Sequence, residues 1–309
     1  MRNITTLIIF VFSSVLWADS HVKCGLPEIS HMHSLHRNEQ PDNQTYYESL
    51  SGLFYVHYDT TAAGDYDHRP LQGDDNNNGI PDYVEETARI ADSTHFVLVN
   101  LMGYDTHPAD EDGVYDIFLR DDLNPSWYGV TYWNLDLGNG SSWIEIDNDF
   151  SPEEGFYTTG FDAMRVTMAH EYFHAIQFGY SGWTSVGNNS NVWFYEMSST
   201  WVEELIAPSV NDYLSLRHNF FSYPDKAINE TNGYSIALYA HYLALIAEGV
   251  EDQYESQILR SVWNNFRDAN HHVAKTSIKT VLPTQWGTDF IDTWLDWVGL
   301  NFYNNNDDD

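Results

Sequence analysis

The stretch from Met168 to Tyr180, MAHEYFHAIQFGY, sets two histidines four residues apart with a glutamate directly after the first. On an α-helix, residues four apart share nearly one face, about 6 Å along the axis. His170 and His174 can therefore grip one ion together, and zinc accepts two imidazoles at roughly 2 Å each. Glu171 is turned partly aside, so it can reach a metal-bound water rather than the metal. This is the H-E-x-x-H chemistry of metal-assisted hydrolysis, in which the carboxylate takes the water's proton. The helix around these groups is apolar, through Met164, Val166, Met168, Ala169, Phe173 and Ile176. Burying two imidazoles and a carboxylate there without partners costs several kcal/mol, and a bound cation removes most of that penalty.

A hydrolytic zinc needs a third protein ligand and one open position. A metzincin-type continuation requires Gly at 177 and His at 180, whereas this chain carries Gln177 and Tyr180, which excludes it. Downstream, NVWFYEMSSTWVEE supplies Glu196, with Ser199, Thr200 and Glu203 on the same helical face. We read Glu196 as the third ligand and Glu203 as an acceptor for a histidine N–H. Glu203 or Glu204 as the ligand itself stays open on spacing alone. An oxyanion also needs a donor. NGYSIALYAHYLA offers Tyr234, our candidate, and His241.

The paired stretches VTMAHEYFHAIQFGY and WFYEMSSTWVEE resemble the gluzincin type of zinc metallopeptidase, and more closely a family of secreted bacterial metalloproteases of that kind. The similarity runs from about Leu53, through GIPDYVE and WIEIDNDF, to the helices near Leu245, most of the chain after its leader. The resemblance implies a zincin-like fold with His170, His174 and Glu196 as zinc ligands and Glu171 as base. It departs at one point: the aspartate such enzymes carry four residues after the ligand glutamate is Thr200 here. Zincins hold peptide substrates along an edge strand before the active helix, and SSWIEIDND occupies that place in the sequence, where strand addition would seat a substrate.

A second motif lies upstream. DDNNNGIPDYVE, Asp74 to Glu85, matches the twelve-residue calcium loop, with oxygen side chains at Asp74, Asn76, Asn78 and Asp82, Gly79 at the sixth position and Glu85 at the twelfth. Ile80 would offer its carbonyl. The asparagines lower the ligand charge and suit millimolar extracellular calcium, so the expected role is structural.

The elements that position these motifs divide the chain. Residues 1–18 pair an arginine with a short apolar run and end on Ala18, as a secretory signal peptide does. Residues 19–50 are polar and broken by prolines, and we expect a loosely ordered leader. Residues 51–180 read as an α/β part holding the calcium loop, three short β-type runs and the HEYFH helix. Residues 181–303 read as mainly helical, and 304–309 as a polar tail. The expected class is α+β and zincin-like: a small mixed or antiparallel sheet with the active-site helix, then a helical C-terminal subdomain. Cys24 is the only cysteine, so no intramolecular disulfide forms; HVKC lacks the small residues of a lipidation site, and we read the thiol as a leftover.

Net charge is −33, from 46 acidic and 13 basic residues, which argues against nucleic-acid or anionic-membrane binding through a basic face. The expected function is thus a secreted zinc endopeptidase acting on protein or peptide. The alternative is a calcium-dependent extracellular binding domain with a silent metallopeptidase site. A glycoside hydrolase would also use paired carboxylates, but it leaves the histidine spacing unexplained.

Overall fold

The computed structural model describes residues 22–27, 39–62, 64–124, 127–133, 140–181, 189–223, 225–269 and 271–303. The signal peptide expected at 1–18 and the tail at 304–309 lie outside the described residues. Six strands form one mixed sheet: β1 Val22–Cys24, β2 Thr45–Glu48, β3 Phe54–Tyr58, β4 Tyr115–Arg120, β5 Trp127–Trp133 and β6 Ser142–Asp147, in the order β1-β5-β6-β4-β3-β2. Strands β3, β4 and β6 run parallel, β2 and β5 run against their neighbours β3 and β6, and β1 lies parallel to β5. The class is α+β, as expected.

Strands β4, β5 and β6 are buried along their whole length. Strand β2 alternates half-buried and exposed residues, the pattern of an edge. The crossover from β3 to β4 contains helix α1, Asp82–His95, whose buried positions Tyr83, Val84, Thr87, Ala88, Ile90, Ala91 and Thr94 recur at the helical period. A π-turn over Phe96–Leu101 extends it, and the chain turns at Gly103, with φ of 75°.

Helix α2, Gly160–Ser181, carries HEYFH and is buried on nearly every side, as a helix apolar all round must be. Helix α3, Val192–Ile206, packs along it. Beyond lie α4 His218–Ser222, α5 Ala237–Tyr242, α6 Ile258–Asp268, α7 Ala274–Val281 and α8 Phe290–Tyr303. The two expected subdomains share one core. The Trp263 ring of α6 meets Phe173 of α2 at 6.4 Å between centroids and Phe194 of α3 at 4.6 Å. Among the described residues no helix is long and apolar enough to cross a membrane.

Two readings need correction. Segment 19–50 is not simply a loose leader: it supplies both outer strands, β1 and β2, because a sheet edge orders even a very short segment through main-chain hydrogen bonds. SSWIEIDND is not an edge. As β6 it lies between β5 and β4, and its six residues are all buried. The HEYFH helix packs on both β5 and β6, and among the described strands only β1 lies beyond β5.

Candidate metal centre

Helix α2 sits close under β5 because Gly129 has no side chain. A Cβ there would lie 2.8 Å from Thr167 Cγ2, 3.0 Å from Glu171 Cγ and 3.1 Å from Ile146 Cγ2. This approach lets Thr131 of β5 reach Glu171: its hydroxyl lies 2.8 Å from both the Glu171 carbonyl and Oε2. The other carboxylate oxygen, Oε1, is buried, and the Cys24 thiol lies beside the carboxylate. Burial pushes the pKa of Glu171 up, and the neighbouring His174 and His170 pull it partly back.

His170 and His174 point to one spot, as their spacing predicts. Their Nε2 atoms are 3.0 Å apart, and Glu196 Oε2 lies 3.0 Å from the first. Glu196 Oε1 lies 3.6 Å from His174 Nε2. Ligands bound tetrahedrally at zinc–nitrogen distances stand about 3.3 Å apart, so these separations suit one shared ion.

The outer nitrogens fix the tautomers. His170 Nδ1 donates to Glu203 Oε1 at 2.7 Å, and a carboxylate can only accept. His174 Nδ1 donates to Gln177 Oε1 at 2.7 Å, while the Gln177 amide nitrogen donates to Tyr195 O, Ser198 Oγ and Ser199 Oγ, each at 3.1 Å. With both Nδ1 atoms protonated, the two Nε2 lone pairs face each other and a carboxylate, a repulsive arrangement unless a positive charge lies between them. Without metal a proton takes that role. Burial would lower the pKa of His170, but Glu196 and Glu203 overcome burial and lift it to about 10. Glu196 is driven the other way, to about 2: burial opposes this, and His174 and His170 outweigh it. The donor set fits a metal ion on this chemistry.

A fourth side chain, which our sequence reading did not assign to the site, completes the group. Cys24, at the end of β1, offers its sulfur within a cluster that also holds His170, His174 and Glu196, with all ligand atoms within 4.8 Å of one another. The leftover thiol of the sequence reading is therefore corrected to a buried member of the centre. The backbone N–H of Leu26 donates to its sulfur at 3.2 Å. Burial, then the charges of Glu171 and Glu196, push its pKa well up. No periodicity marks a three-residue strand, and the neighbours of Cys24 in space lie far along the chain; the one legible signal was that this is the chain's sole cysteine.

Lys23 is buried beside it and pairs with both Glu203 and Asp212. Burial would lower the lysine's pKa, but the two carboxylates raise it, and Lys23 holds Asp212 below its usual range against burial. Glu203 thus stands between His170 and Lys23 rather than in the ligand set. Thr200 is buried with an unbonded hydroxyl, so the acceptor for His170 comes from one turn further along α3. Glu204, the other alternative, is outside the cluster. Burial and Glu203 push its pKa up to about 7.

Tyr234 reaches the centre. Its ring stacks 5.9 Å from that of His170, and its buried hydroxyl lies beside the Glu196 carboxylate. Burial, with Glu196 adding to it, pushes that hydroxyl's pKa well up. Gly233 permits the approach, at φ 84°, since a Cβ there would lie 2.5 Å from Trp193 O and 2.6 Å from Glu196 Cβ. His241 is engaged elsewhere: its Nδ1 donates to Gln253 Oε1 at 2.7 Å.

In the upstream loop, Gly79 takes φ 87°, which its sixth position requires. Asp74 accepts from the amides of Asn78 and Gly79 at 3.0 and 2.9 Å, and Asn76 Oδ1 from Asn78 N at 2.9 Å. The side-chain amides of Asn76 and Asn78 donate to Glu85 Oε2 and Oε1 at 2.9 and 2.8 Å, which ties Glu85 to the loop. Asp82 instead accepts from Asp75 N, and Ile80 gives its N–H to Asn78. A second acidic group, Asp147, Asp149 and Glu154, also has oxygens close together. There Asp147 Oδ1 is already occupied by the amides of Asp149 and Phe150, as in a side-chain-capped turn. No protein-family model matches the chain, and no curated protein does.

Proposed function

We propose that this chain is a secreted zinc metallopeptidase of zincin-like, gluzincin type, with His170, His174 and Glu196 as ligands. The observation that carries the reading is the facing pair of Nε2 lone pairs beside Glu196, with Glu171 next to them. Zinc held there would polarise a scissile carbonyl and acidify its bound water. Glu171, oriented by the Thr131 hydroxyl, accepts the water's proton through its buried Oε1 and returns it to the leaving amine. Tyr234 donates its hydroxyl to the oxyanion, since that group is buried in the site beside Glu196 and His170. Glu203 and Gln177 hold the two imidazoles in the tautomer that presents Nε2. Peptide is the substrate class because the outer edge of β5, a strand beside α2, would bind extended main chain where β1 does not pair with it. In the same reading, Asp74, Asn76, Asn78 and Glu85 hold a structural calcium ion, with Asp82 and the Ile80 carbonyl turning in to complete it.

The test is digestion of a peptide library by zinc-loaded wild type, Glu171→Gln and, because Cys24 lies in the site, Cys24→Ser, each with and without a chelator. Chelator-sensitive cleavage that falls about 10²–10⁴-fold in a chain carrying Glu171→Gln is expected. Cleavage indifferent to both treatments would sink the reading.

A further inference from the structure

The N-terminal segment does more than add a strand. Val22–Cys24 pairs with β5 in register Val22 to Trp127 and Cys24 to Gly129, and Gly25 N extends the pairing to Gly129 O at 2.9 Å. At Trp127–Gly129 it covers the outer edge of β5, the strand whose Gly129 and Thr131 touch α2. Lys23, Cys24 and Leu26 are all buried. Lys23 ties the segment to Glu203 of α3 and to Asp212, and Gly25 lies so close to Trp127 that a Cβ would stand 2.6 Å from the indole ring. The sulfur of Cys24 then projects among the ligand atoms of His170, His174 and Glu196.

Resting on the metallopeptidase reading, we propose that Val22–Leu26 is an autoinhibitory plug: the Cys24 sulfur takes the fourth ligand position, and β1 takes the strand edge that a peptide substrate needs. Two observations beyond the cysteine point to a ligand at this spot. Buried Glu196 Oε1 lies 3.6 Å from His174 Nε2, and buried Glu171 lies against the Cys24 thiol, so both carboxylates converge on it. A four-ligand zinc site is closed, while a hydrolytic one keeps a position for water. Glu171 and Tyr234 have no purpose in a closed structural site, so the closure is reversible. When the segment leaves β5, the sulfur–metal bond breaks, the thiolate takes a proton from solvent, and one water enters the vacated position. The same departure frees the β5 edge, so one movement opens both the metal and the substrate groove.

Cobalt-loaded full chain tests this without relying on turnover. A thiolate ligand gives a sulfur-to-cobalt charge-transfer band in the near ultraviolet, separate from the visible d–d bands of any bound cobalt. Wild type should show both, and Cys24→Ser only the visible bands. Acetohydroxamate, titrated against the visible bands, reports whether the fourth position can open. Cys24→Ser should bind it about tenfold or more tightly than wild type, since apparent affinity scales with the open fraction. Gly25→Ala keeps every candidate ligand and should loosen the segment against Trp127, raising hydroxamate affinity in the same direction. Visible cobalt bands in wild type without the charge-transfer band would overturn the role of Cys24 and leave the peptidase reading standing. Equal hydroxamate affinity in all three proteins would overturn the plug even if the sulfur binds. No cobalt bound by any of them would overturn the metal centre, and the plug with it.

Discussion

Glu203 accepts the Nδ1–H of His170 at 2.7 Å while its other oxygen holds the ammonium of Lys23, so one carboxylate joins the metal centre to a strand 180 residues away in sequence. The first contact sets the imidazole's tautomer and ring plane. Removing it leaves His170 free to rotate and Lys23 with Asp212 alone. Losing an outer partner of this kind typically weakens metal binding about 10–100-fold. Glu203→Ala should therefore lower zinc affinity by that order, measured by competition with a chromophoric chelator. Glu203→Gln keeps an acceptor for His170 and should lose less. Unchanged affinity in both variants would show that packing alone orients His170.

The close approach of β5 to α2 rests on Gly129, whose Cβ would fall within 3.1 Å of three side chains. Two of them, Thr167 and Glu171, belong to the active helix itself. Overpacking of this kind costs about 1–3 kcal/mol and moves backbone. Gly129→Ala should lower the urea midpoint accordingly. It should also lengthen the contact between Thr131 and Glu171, so hydrolysis drops by more than the stability loss explains. A variant with wild-type midpoint and wild-type rate would mean that the helix shifts freely.

The candidate metal-binding face was legible because it is local. Spacing of four residues placed His170 with His174, and spacing of seven placed Glu203 near Glu196, and both follow from the helical repeat wherever the helix sits. Gln177 was legible in principle, three residues after His174 on the same face. What sequence could not supply was strand order. A buried β5 and a buried β6 both read as apolar runs, and only pairing decides which borders β1. Cys24 and Lys23 were missed for the same reason: their partners lie on α2, on α3 and at Asp212, and a three-residue strand carries no periodic signal. The upstream loop stood between these cases, since its spacing anticipated the contacts among Asp74, Asn76, Asn78 and Glu85 but not the rotation of Asp82 toward Asp75.

That loop leads directly into α1, which crosses between β3 and β4, so tightening it should stabilise the sheet's middle. Calcium that binds only the folded chain adds about 2.7 kcal/mol at a hundredfold excess over its dissociation constant. The melting midpoint should rise with added calcium in wild type. It should not rise in Glu85→Ala, which removes the oxygens that both asparagines reach. Gly79→Ala should destabilise even without calcium, because its φ of 87° is unfavourable for any side chain. A calcium response that survives Glu85→Ala would place the ion elsewhere.

Two histidines outside the metal centre give the protein an acid limit. Burial pushes His107 down to about 4, helped by the charge of neighbouring His95. Burial also brings His241 to about 4, against the opposing pull of its hydrogen bond to Gln253. Both rings are thus held neutral in the fold, while in the unfolded chain they titrate near the ordinary value of about 6.5. The unfolded state then binds more protons between those limits, so stability rises with pH across the window. The contribution is fully present above about pH 6.5 and is lost as pH falls toward 4, on the order of 3 kcal/mol for each ring over the whole window. Urea midpoints taken from pH 7 to pH 4 should fall for wild type and fall less steeply for His241→Leu, which lacks one of the two groups. Parallel slopes for the two proteins would mean that His241 takes up its proton without leaving the fold.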